Sequence, residues 1–396
     1  MSTADLCLVA NTRLPSQRAQ GLQVVHQAAA FARAGRRTLL VHALRHGGRR
    51  ADASEVLAHY GVVGRVAGSG LPLALEAIPC VDWIERVPRA LQYLPARIQE
   101  QTFARNAARW IRDHEPQALV LAREIECGLL LVRGGARVAL EVHRVPGGRA
   151  RRRWLVEAAR GAVGVIAISG GVAADLAELG IERVVVAHDA YDAERFACLP
   201  GREQARVELG LAPAARIVVY TGGLLAWKGA DVLVDAARLL PGVQFLVAGG
   251  MDQDVAQLRQ RAQGVSNVRI DGFQAPARVP LYLAAADIGV VPNRSEPAIS
   301  ARYTSPLKVF EAFAAGLPLV ASDLPSLREL LEDGRDAVLV APDDPAALAR
   351  GIERLLSDDA LRAAIRARYR ERARGATFDA RAARILAHLE ARSARA

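Results

Sequence analysis

The sequence predicts an α/β protein with two doubly wound domains, each built on a parallel sheet covered by helices on both faces. Short and continuously apolar runs, typical of buried parallel strands, alternate with longer amphipathic runs that are typical of helices. This alternation occurs twice, on either side of a polar and turn-rich stretch at residues 187–216. The length of 396 residues also suits two domains of ordinary size.

Twelve strands are predicted, six in each half of the chain. In the first half we expect them at 6–10, 38–43, 118–122, 137–143, 163–169 and 183–188. In the second half we expect them at 216–222, 243–250, 267–273, 287–293, 317–323 and 337–342. Amphipathic patterns such as "LQVVHQAAAFARAG" and "ADVLVDAARLLPG" predict the helices between them. The predicted domains are residues 1–190 and 191–375, followed by a C-terminal helix at 376–396 that we expect to pack back on the first domain.

Composition excludes several classes of protein. The 51% hydrophobic and 24% charged residues are typical of a globular chain. The four cysteines lie far apart and form no C-x-x-C pair, which argues against a disulfide scaffold or a zinc site and favours a reducing compartment. We expect no signal peptide, because the N-terminus "MSTADLCLVANTRLP" lacks a basic region followed by a long apolar run. We expect no transmembrane segment, since no apolar run approaches the roughly 20 residues that span a bilayer. The expected location is therefore the cytoplasm.

The formal charge of +10 indicates an anionic partner. Because the sequence has no nucleic-acid-binding motif, we expect no nucleic-acid partner, and an anionic substrate or a membrane surface remains. The densest basic run is Arg149, Arg151, Arg152 and Arg153, directly before Trp154. This run could contact anionic lipid at the inner face of the cell membrane or a phosphorylated acceptor, or it could form an ordinary solvated face.

In open α/β sheets, ligands bind beyond the carboxyl ends of the strands, so functional residues are expected there. The segment "YTGGLLAWKG" follows the predicted strand at 216–222 and leads into a helix. Gly222 and Gly223 allow the backbone to approach an anion closely, and Lys228 could bind phosphate as a mobile point charge. The alternative is a plain turn with an exposed lysine.

A second candidate is the helix predicted from "SPLKVFEAFAAG". Ser305 is expected to cap this helix through its hydroxyl, with Pro306 at the first helical position. Lys308 then lies in the first turn, where the helix dipole disfavours a cation unless a bound anion faces both. Glu311 shares a face with Lys308, and its side chain leans back toward the N-terminus, where it could accept hydrogen bonds from ribose hydroxyls.

The alternative for Lys308 and Glu311 is a surface ion pair, which would contribute only about a few tenths of a kcal/mol. Phe310, Phe313 and the apolar run that follows them predict a largely buried helix, which weakens that alternative.

The first domain offers two weaker candidates. His143 ends the predicted strand at 137–143, and Glu141 lies on the same side of that strand. A lone histidine is more often structural, so His143 alone is a weak signal. The loop "NTRLPSQRAQG" connects a strand to a helix and ends in Gly21, which offers another helix N-terminus.

Several common motifs are missing from the sequence. Its glycine-containing segments form no strand–GxGxxG–helix unit, so a nicotinamide cofactor is disfavoured. The sequence also has no Walker A motif and no G-x-S-x-G nucleophile elbow.

Taken together, these segments resemble the retaining glycosyltransferases of the GT-B fold that are called family 4. The resemblance covers almost the whole chain. In the first half it is carried by "LPSQRAQGLQVVHQAAAFARAG" and "EVH", and at the link by "AISGGVAADLAELGIERVVVAHDAYDAERF". In the second half it is carried by "YTGGLLAWKGADVLVDAARLLPGVQFLVAGG" and "SPLKVFEAFAAGLPLVASDLPSLREL". It implies two Rossmann-like domains facing a central cleft, with the acceptor side in the first and the nucleotide-sugar site in the second.

The resemblance also implies roles for individual residues. Lys228 would bind the diphosphate of the donor, Glu311 would hold its ribose hydroxyls, and His143 would contact the donor sugar near the reacting carbon. These three are the candidate catalytic residues. The implied donor-binding residues are Gly21, Gly222, Gly223, Lys228, Ser305, Pro306, Leu307, Lys308 and Glu311.

The sequence departs from the family pattern at two positions. Gly223 stands where many members have an arginine, and Tyr303 stands where many have a glutamate. The contact to the donor sugar could then come from other polar residues of the same segment. The candidates are Arg294, Glu296, Arg302 and Tyr303.

The resemblance implies retaining transfer of a sugar from a nucleotide diphosphate sugar to an unidentified carbohydrate, lipid-linked or small-molecule acceptor, with polysaccharide or glycolipid synthesis as the common family role. Neither a cofactor nor a metal is expected, because the family usually works without a divalent ion. The sequence also has no Asp-x-Asp motif beside the cleft strands, since "DQDVAQ" at residues 252–257 lies on a predicted helix. Lys228, Lys308 and the helix N-terminus would stabilise charge on the leaving diphosphate. Two alternatives remain: a nucleotide-sugar epimerase or hydrolase on the same fold, and a non-catalytic protein that binds anionic glycans or membranes.

Overall fold

The chain forms two compact units. The computed structural model describes residues 4–62, 73–88 and 91–393, apart from the side chains of residues 85, 392 and 393.

The chain passes between the two units twice. The first unit, called the first domain below, comprises Met1–His188 together with Arg381–Ala396, and the second domain comprises Asp189–Ala380. The chain therefore leaves the first domain after His188 and returns to it at Arg381.

The described part of the first domain contains one sheet of seven parallel strands. The strands are β1 (Leu6–Arg13), β2 (Thr38–Arg45), β3 (Leu73–Cys80), β4 (Leu119–Ala122), β5 (Val138–Val142), β6 (Gly164–Ala167) and β7 (Val184–Val186). Their order in the sheet is β3-β2-β1-β4-β5-β6-β7. The described helices before the first crossing are α1 (Ala19–Arg33), α2 (Ala53–His59), α3 (Tyr93–His114), α4 (Ile125–Arg133), α5 (Arg149–Gly161) and α6 (Gly170–Glu178).

The second domain repeats the same architecture with six parallel strands. They are β8 (Ile217–Thr221), β9 (Gln244–Ala248), β10 (Val268–Gly272), β11 (Ile288–Val291), β12 (Leu319–Ser322) and β13 (Ala337–Val340), in the order β10-β9-β8-β11-β12-β13. The helices are α7 (Arg202–Glu208), α8 (Ala230–Arg238), α9 (Asp252–Arg261), α10 (Val279–Ala285), α11 (Leu307–Ala315), α12 (Pro325–Arg328), α13 (Pro345–Ser357) and α14 (Asp359–Gly375). The last helix, α15 (Phe378–Ser393), begins in the second domain and continues in the first.

Hydrophobic burial explains why these strands are central. Every residue of β8, β11 and β12 is buried, as expected for parallel strands with helices on both faces. Burying one Val, Leu or Ile side chain contributes about 1.5–3 kcal/mol, so such runs fix both the strand and its register. A charged residue is nevertheless buried in the first sheet: Glu141 in β5 is 1% exposed.

The two-domain α/β prediction is confirmed, and all twelve predicted strands are present within a few residues of their predicted limits. The prediction missed β3, whose sequence is "LALEAIPC". This strand is at the edge of the sheet and only half-buried, and it contains Glu76 and Pro79, so its residues lack the continuous apolar run of a central strand. Among the described residues, no helix is both long enough and apolar enough to cross a membrane.

Candidate functional site

The predicted diphosphate-binding residues lie at the switch point of the second sheet. β8 and β11 are neighbours at the centre of that sheet, and their connecting segments run to opposite sides of it. In doubly wound sheets, ligands bind beyond the carboxyl ends of the strands at this point. The segment after β8 carries Lys228, and the segment after β11 leads to Lys308 at the start of α11.

The segment after β8 is held in a tight conformation. A single 3-10 turn at Ala226–Lys228 ends in Gly229, whose φ of 70° is in the left-handed region. A Cβ on Gly229 would overlap the carbonyl of Pro292, because this segment packs directly on the end of β11. The Tyr220 hydroxyl donates a hydrogen bond to the Gly223 carbonyl at 2.7 Å. α8 begins directly after Gly229, so the predicted connection from a strand into a helix is confirmed.

Lys308 is a buried ammonium without a hydrogen-bond acceptor. Its residue is 8% exposed, and Nζ has no hydrogen-bond partner among the described residues. Nζ lies 3.5 Å from the centroid of the Tyr220 ring, a cation–π contact that offsets only part of the lost hydration. Glu311 is 7% exposed, so the alternative of a surface ion pair between Lys308 and Glu311 is wrong.

The two lysines converge on the same pair of glycines. An ideal Cβ on Gly222 would lie 3.8 Å from Lys308 Nζ, and one on Gly223 would lie 3.8 Å from Lys228 Nζ. Neither ammonium is paired with a carboxylate in the described part of the chain.

These two residues are also the only lysines in the sequence, because every other one of the 52 lysine and arginine residues is an arginine. A chain that uses arginine for all its other cations keeps lysine only at this point. Lysine offers a compact charge with three donors, where the planar guanidinium needs more room.

Both lysines have a lowered pKa. Desolvation lowers the pKa of Lys228. Desolvation, followed by the charge of Lys228, holds the pKa of Lys308 well below its usual value, although Glu311 acts in the opposite direction. A bound anion would reverse both effects, because its charge favours the protonated form of each ammonium.

The predicted helix cap at Ser305 is wrong by one residue. α11 begins at Leu307, and Pro306, with a ψ of 122°, is the residue at the N-cap. The Ser305 hydroxyl instead accepts a hydrogen bond from the backbone N–H of Asp189 at 2.8 Å. No side chain caps α11, and the N–H of Val309 donates to the carbonyl of Pro306 at 3.0 Å. The N–H groups of Leu307 and Lys308 have no partner among the described residues and are available to a ligand beside Lys308.

Glu311 is held by an arginine that the sequence analysis did not single out. Arg195 Nη1 lies 3.3 Å from Glu311 Oε1, and its Nη2 donates to the carbonyl of Pro276 at 2.6 Å. The Arg195 side chain is 3% exposed. The pair fixes the carboxylate one turn behind Lys308. No pattern in "DAERF" indicates this contact, since Arg195 and Glu311 are distant in sequence.

Among the candidate sugar contacts, Arg294 is already engaged by two carboxylates. It pairs with Asp231 and, at 3.1 Å, with Asp343. The backbone N–H of Ser295 donates to the same Asp343 carboxylate at 2.9 Å. The charge of Arg294 is therefore balanced locally, and the residue fixes the segment that follows β11.

The other three candidates lie further along the same segment. Glu296 is exposed and precedes a cis proline. Arg302 and Tyr303 lie in a π-helical turn at Ile299–Tyr303, and the Arg302 guanidinium lies 5.6 Å from the centre of the Tyr303 ring.

Asn293 is a second residue that the sequence analysis missed. It follows β11 and Pro292 directly and is 1% exposed, yet neither Oδ1 nor Nδ2 has a hydrogen-bond partner among the described residues. Buried carboxamides normally have partners, so this one marks a polar position at the switch point. An asparagine after a strand is typical of an ordinary turn, and so the sequence carries no signal for it.

The first domain holds a separate cluster around His143. Glu141 Oε1 lies 2.7 Å from His143 Nε2, which confirms that both side chains are on the same side of β5. Arg123, just after β4, approaches from the neighbouring strand with Nη2 at 3.4 Å from His143 Nδ1. The Arg381 guanidinium lies 3.0 Å from the other Glu141 oxygen.

This cluster sets the charges of its members. Burial alone would raise the pKa of Glu141, but the charge of Arg381 and the hydrogen bond from His143 outweigh it and hold the pKa well below its usual range. Desolvation and the charge of Arg123 lower the pKa of His143 to about 4. At pH 7 the carboxylate is therefore ionised and the imidazole is neutral. His143 Nε2 lies 2.7 Å from Glu141 Oε1 and 3.1 Å from Arg123 Nε, and the shorter contact with the carboxylate favours the tautomer whose Nε2–H is donated to Glu141 while Nδ1 accepts from Arg123 Nη2.

Gly21 lies within α1 and not in the preceding loop as predicted. It is buried in the first turn of the helix, where a Cβ would overlap the Tyr60 hydroxyl. That hydroxyl accepts a hydrogen bond from the backbone N–H of Ser16 at 2.8 Å and so fixes the loop before α1. Close packing explains the glycine at this position without a ligand.

The basic run lies at the start of α5, beside a cavity of about 460 Å³. Two arginines that line the cavity, Arg97 and Arg151, both contact the carboxylate of Glu126, at 3.1 and 2.8 Å. Glu100 supplies a second carboxylate, paired with Arg97 and 3.7 Å from Arg151, so the two positive charges are balanced. No described carboxylate pairs with Arg144. The cavity is lined by Tyr93, Arg97, Arg144, Val145, Pro146, Gly147, Gly148, Ala150, Arg151 and Trp154.

No three His, Cys, Asp or Glu residues of the described ranges are grouped so that they could hold a metal ion.

Sequence comparison relates the second domain to a known family. Residues 215–358 match the family model described as "Glycosyl transferases group 1". The D-inositol 3-phosphate glycosyltransferase of Mycobacterium marinum is 31% identical over 186 residues, which cover 45% of this chain and 38% of the relative. The phosphatidyl-myo-inositol mannosyltransferase of Mycobacterium leprae is 38% identical over 143 residues, which cover 34% of this chain and 35% of the relative. The chain thus spans less than half the length of these curated relatives.

Comparison of structures covers almost the whole chain. Anabaena HepE, solved in complex with UDP, has a TM-score of 0.72 at 18% identity and covers 98% of this chain and 100% of its own. The sucrose-phosphate synthase of Thermosynechococcus elongatus has a TM-score of 0.75 at 18% identity and covers 99% of both chains. At such identities these likenesses establish the fold. The chain is therefore a protein of the two-domain GT-B fold whose second domain is related to the glycosyl transferases of group 1.

Proposed function

We propose that this protein is a glycosyltransferase that takes its sugar from a nucleotide diphosphate sugar. The observation that carries the proposal is the convergence of Lys228 and Lys308 on Gly222 and Gly223, at the uncapped N-terminus of α11. Two ammonium groups, free helix N–H donors and a glycine backbone suit a diphosphate in charge and in close approach. The family match spans all of these residues, and HepE, with a similar fold, was solved with UDP.

In this proposal, the lysines act on the leaving group. Lys228 and Lys308 donate hydrogen bonds to the diphosphate and stabilise the charge that develops on it as its bond to the sugar carbon breaks. Their positions are fixed before the reaction by Gly229 and by the packing of Lys308 on Tyr220, so little reorganisation is needed. We further propose, from the resemblance alone, that transfer retains the anomeric configuration and needs no divalent ion.

The remaining site residues complete the donor site as proposals. Glu311, fixed by Arg195, would accept hydrogen bonds from the ribose hydroxyls of the nucleotide. His143 would contact the donor sugar from the first domain. Asn293 and the π turn at Ile299–Tyr303 lie on the segment between β11 and α11, from which we propose that the donor sugar is contacted.

For the acceptor, we propose an anionic compound with a sugar or polyol ring, bound in the cavity of the first domain. Trp154 and Tyr93 offer ring surfaces, and Arg144 is a cation without a described carboxylate partner. Contact of the α5 arginines with anionic lipid would bring a lipid-linked acceptor to this cavity. Co-sedimentation with phosphatidylserine and with phosphatidylcholine vesicles tests that contact: equal binding to both would exclude it, and Arg149→Ser with Arg153→Ser should weaken binding to the anionic vesicles only.

The first test is thermal unfolding of the protein with a panel of nucleoside diphosphates and their sugars. A ligand stabilises the folded state by RT ln(1 + [L]/Kd), so even weak donors are detected at high concentration. The selected donor is then incubated alone and with acceptor pools. Release of nucleoside diphosphate only with an acceptor supports transfer, whereas an epimer or free sugar from the donor alone supports the epimerase or hydrolase alternative.

Two variants make the test specific to the lysines. Lys228→Ala should lower kcat/KM at least about tenfold, or 1.4 kcal/mol. Lys228→Arg is the matched control, because it keeps the charge and resembles every other cation of the chain. We expect it to lose activity as well, since a planar guanidinium is larger than the compact ammonium that lies beside Gly223. Unchanged kinetics in both variants would contradict the proposed diphosphate site.

A further inference from the structure

Arg381 brings a buried guanidinium into the first domain. Its side chain is 2% exposed, and it is the first residue of the chain after its return from the second domain. Its nitrogens contact four acceptors: the Gln27 side-chain oxygen, the His188 carbonyl at 2.9 Å, the Ala187 carbonyl at 3.3 Å and the Glu141 carboxylate at 3.0 Å. A guanidinium offers five donors in a rigid fork, so few other side chains could satisfy these acceptors together.

Glu141 connects this guanidinium to His143. The Glu141 side chain is fully buried, with one oxygen on Arg381 and the other accepting the Nε2–H of His143. Gln23 from α1 adds a longer hydrogen bond at 3.4 Å to the same oxygen. A carboxylate in this setting would be strongly destabilising without its cation, because removing one partner of a buried pair leaves an uncompensated charge.

We propose that Arg381 is a positioning residue for His143 and acts through Glu141. Arg381 orients the carboxylate, and the carboxylate accepts a hydrogen bond from the Nε2–H of His143, which fixes the plane and the tautomer of the ring. The inference rests on the proposed function only in assuming that His143 contacts the donor sugar. The link from Arg381 to His143 does not depend on that assumption.

The position of Arg381 in the chain gives the link a second consequence. The chain leaves the first domain after His188 and returns at Arg381, and the guanidinium binds the carbonyl of His188 directly. The Arg381 side chain therefore links both crossings of the chain between the domains, after His188 and at Arg381 itself, to Glu141, the carboxylate that holds His143. A change of backbone conformation at these two crossings that moved Arg381 away from Glu141 would also release His143.

Three charged groups in the described part of the chain act on the pKa of His143. They are Glu141 in β5, Arg123 after β4 and Arg381 in α15. Removing Arg381 leaves Glu141 with one opposing cation fewer, so the imidazolium becomes more favourable. The pKa of His143 should then rise from about 4 toward its usual value.

The test compares Arg381→Gln and Arg381→Lys with Glu390→Gln. Glu390 is the matched control, because it lies on α15 like Arg381 but forms an exposed ion pair, with Arg36. NMR of 15N-histidine-labelled protein measures the tautomer and the titration of His143, assigned among the eight histidines with His143→Gln. Steady-state kinetics with the selected donor, and melting temperatures, complete the comparison.

In Arg381→Gln, the midpoint of the His143 titration should rise by about one pH unit, and the Nε2–H tautomer should lose population. The kcat should fall about tenfold with a change in donor KM below about twofold. Glu390→Gln should leave the titration midpoint, the tautomer population and kcat unchanged. Arg381→Lys keeps the charge without the fork; it should shift the titration less but still lower kcat, and it carries the test if Arg381→Gln does not fold.

A lower melting temperature with unchanged His143 signals and unchanged kcat would overturn the inference, because it would make Arg381 a purely structural residue. The NMR result separates this inference from the proposed function. If the wild-type protein transfers no sugar while the His143 titration moves as expected, the proposed function fails and the link from Arg381 to His143 stands.

Discussion

Replacing Lys308 by methionine should stabilise the free protein and weaken its binding of nucleoside diphosphates. Methionine keeps most of the length and volume of the side chain and its packing on Tyr220, but it removes the ammonium. In the free protein this ammonium is buried and has no hydrogen-bond acceptor in the described residues. In the proposed complex it would face the diphosphate. The two effects therefore have opposite signs, which a residue with a purely structural role would not produce.

The magnitudes follow from these surroundings. Burying an unpaired ammonium costs several kcal/mol, and the contact with Tyr220 offsets about 2 kcal/mol of it. We expect a net gain of about 1 kcal/mol in Lys308→Met, which raises the Tm of a domain of this size by about 2–4 °C. Hydrogen bonds to charged groups contribute about 1.5–3 kcal/mol, so affinity for the nucleoside diphosphate should fall about 10- to 150-fold.

The assay is thermal unfolding and isothermal titration of wild type, Lys308→Met and Lys228→Met with the nucleoside diphosphate selected by the panel. Lys228 is less buried, so Lys228→Met should lose affinity with a smaller gain in Tm. A Lys308→Met protein with a lower Tm and wild-type affinity would refute the reasoning, because Lys308 would then be part of the core and not of an anion site.

Three further predictions follow from the same geometry. Because a bound anion raises the lowered pKa of Lys308, binding takes up a proton at any pH between the Lys308 pKa of the free protein and that of the complex. Affinity should therefore fall as pH rises through that window, and titrations in buffers of different ionisation enthalpy measure the proton uptake. Gly229→Ala should lower the free energy of unfolding by at least about 2 kcal/mol, because its Cβ overlaps the Pro292 carbonyl in addition to straining a left-handed backbone. Gly264→Ala has the same backbone strain but open space around the Cβ, so it should lose only about 1 kcal/mol when both variants are measured by denaturant unfolding. Arg195→Met should destabilise the protein by about 3–5 kcal/mol and raise donor KM, because it leaves Glu311 buried alone, and adding Glu311→Gln should restore stability but not KM.

Much of the fold could be predicted from the sequence because both sheets are parallel and buried. Central strands such as β8 and β12 are short, continuous apolar runs, and the spacing between them leaves room only for crossover helices. The edge strand β3 was missed because Glu76 and Pro79 interrupt its apolar residues. The edge strands β7 and β13 keep continuous apolar runs and were predicted, so it is the residue pattern, and not the edge position alone, that hides a strand.

The site was predictable where one segment carries the signal. Lys228 and Lys308 each lie in a strand-to-helix connection of recognisable type, and a simple residue count would have singled them out as the only lysines. The partners of the site residues were not predictable. Arg195 and Arg381 are two arginines among many, and their contacts join segments far apart in sequence, which only the folded chain brings together.

NMR of the lysine ammonium groups is the most direct test of the central claim, that Lys228 and Lys308 form an anion site. Because the chain has only two lysines, labelled lysine gives two side-chain signals, and Lys228→Met assigns them. We predict that Lys308 titrates well below the usual pKa of about 10.4 in the free protein and returns toward it when a nucleoside diphosphate binds, with both signals shifting at one equivalent. Two lysines that titrate near about 10.4 and do not respond to saturating nucleoside diphosphate would contradict the account.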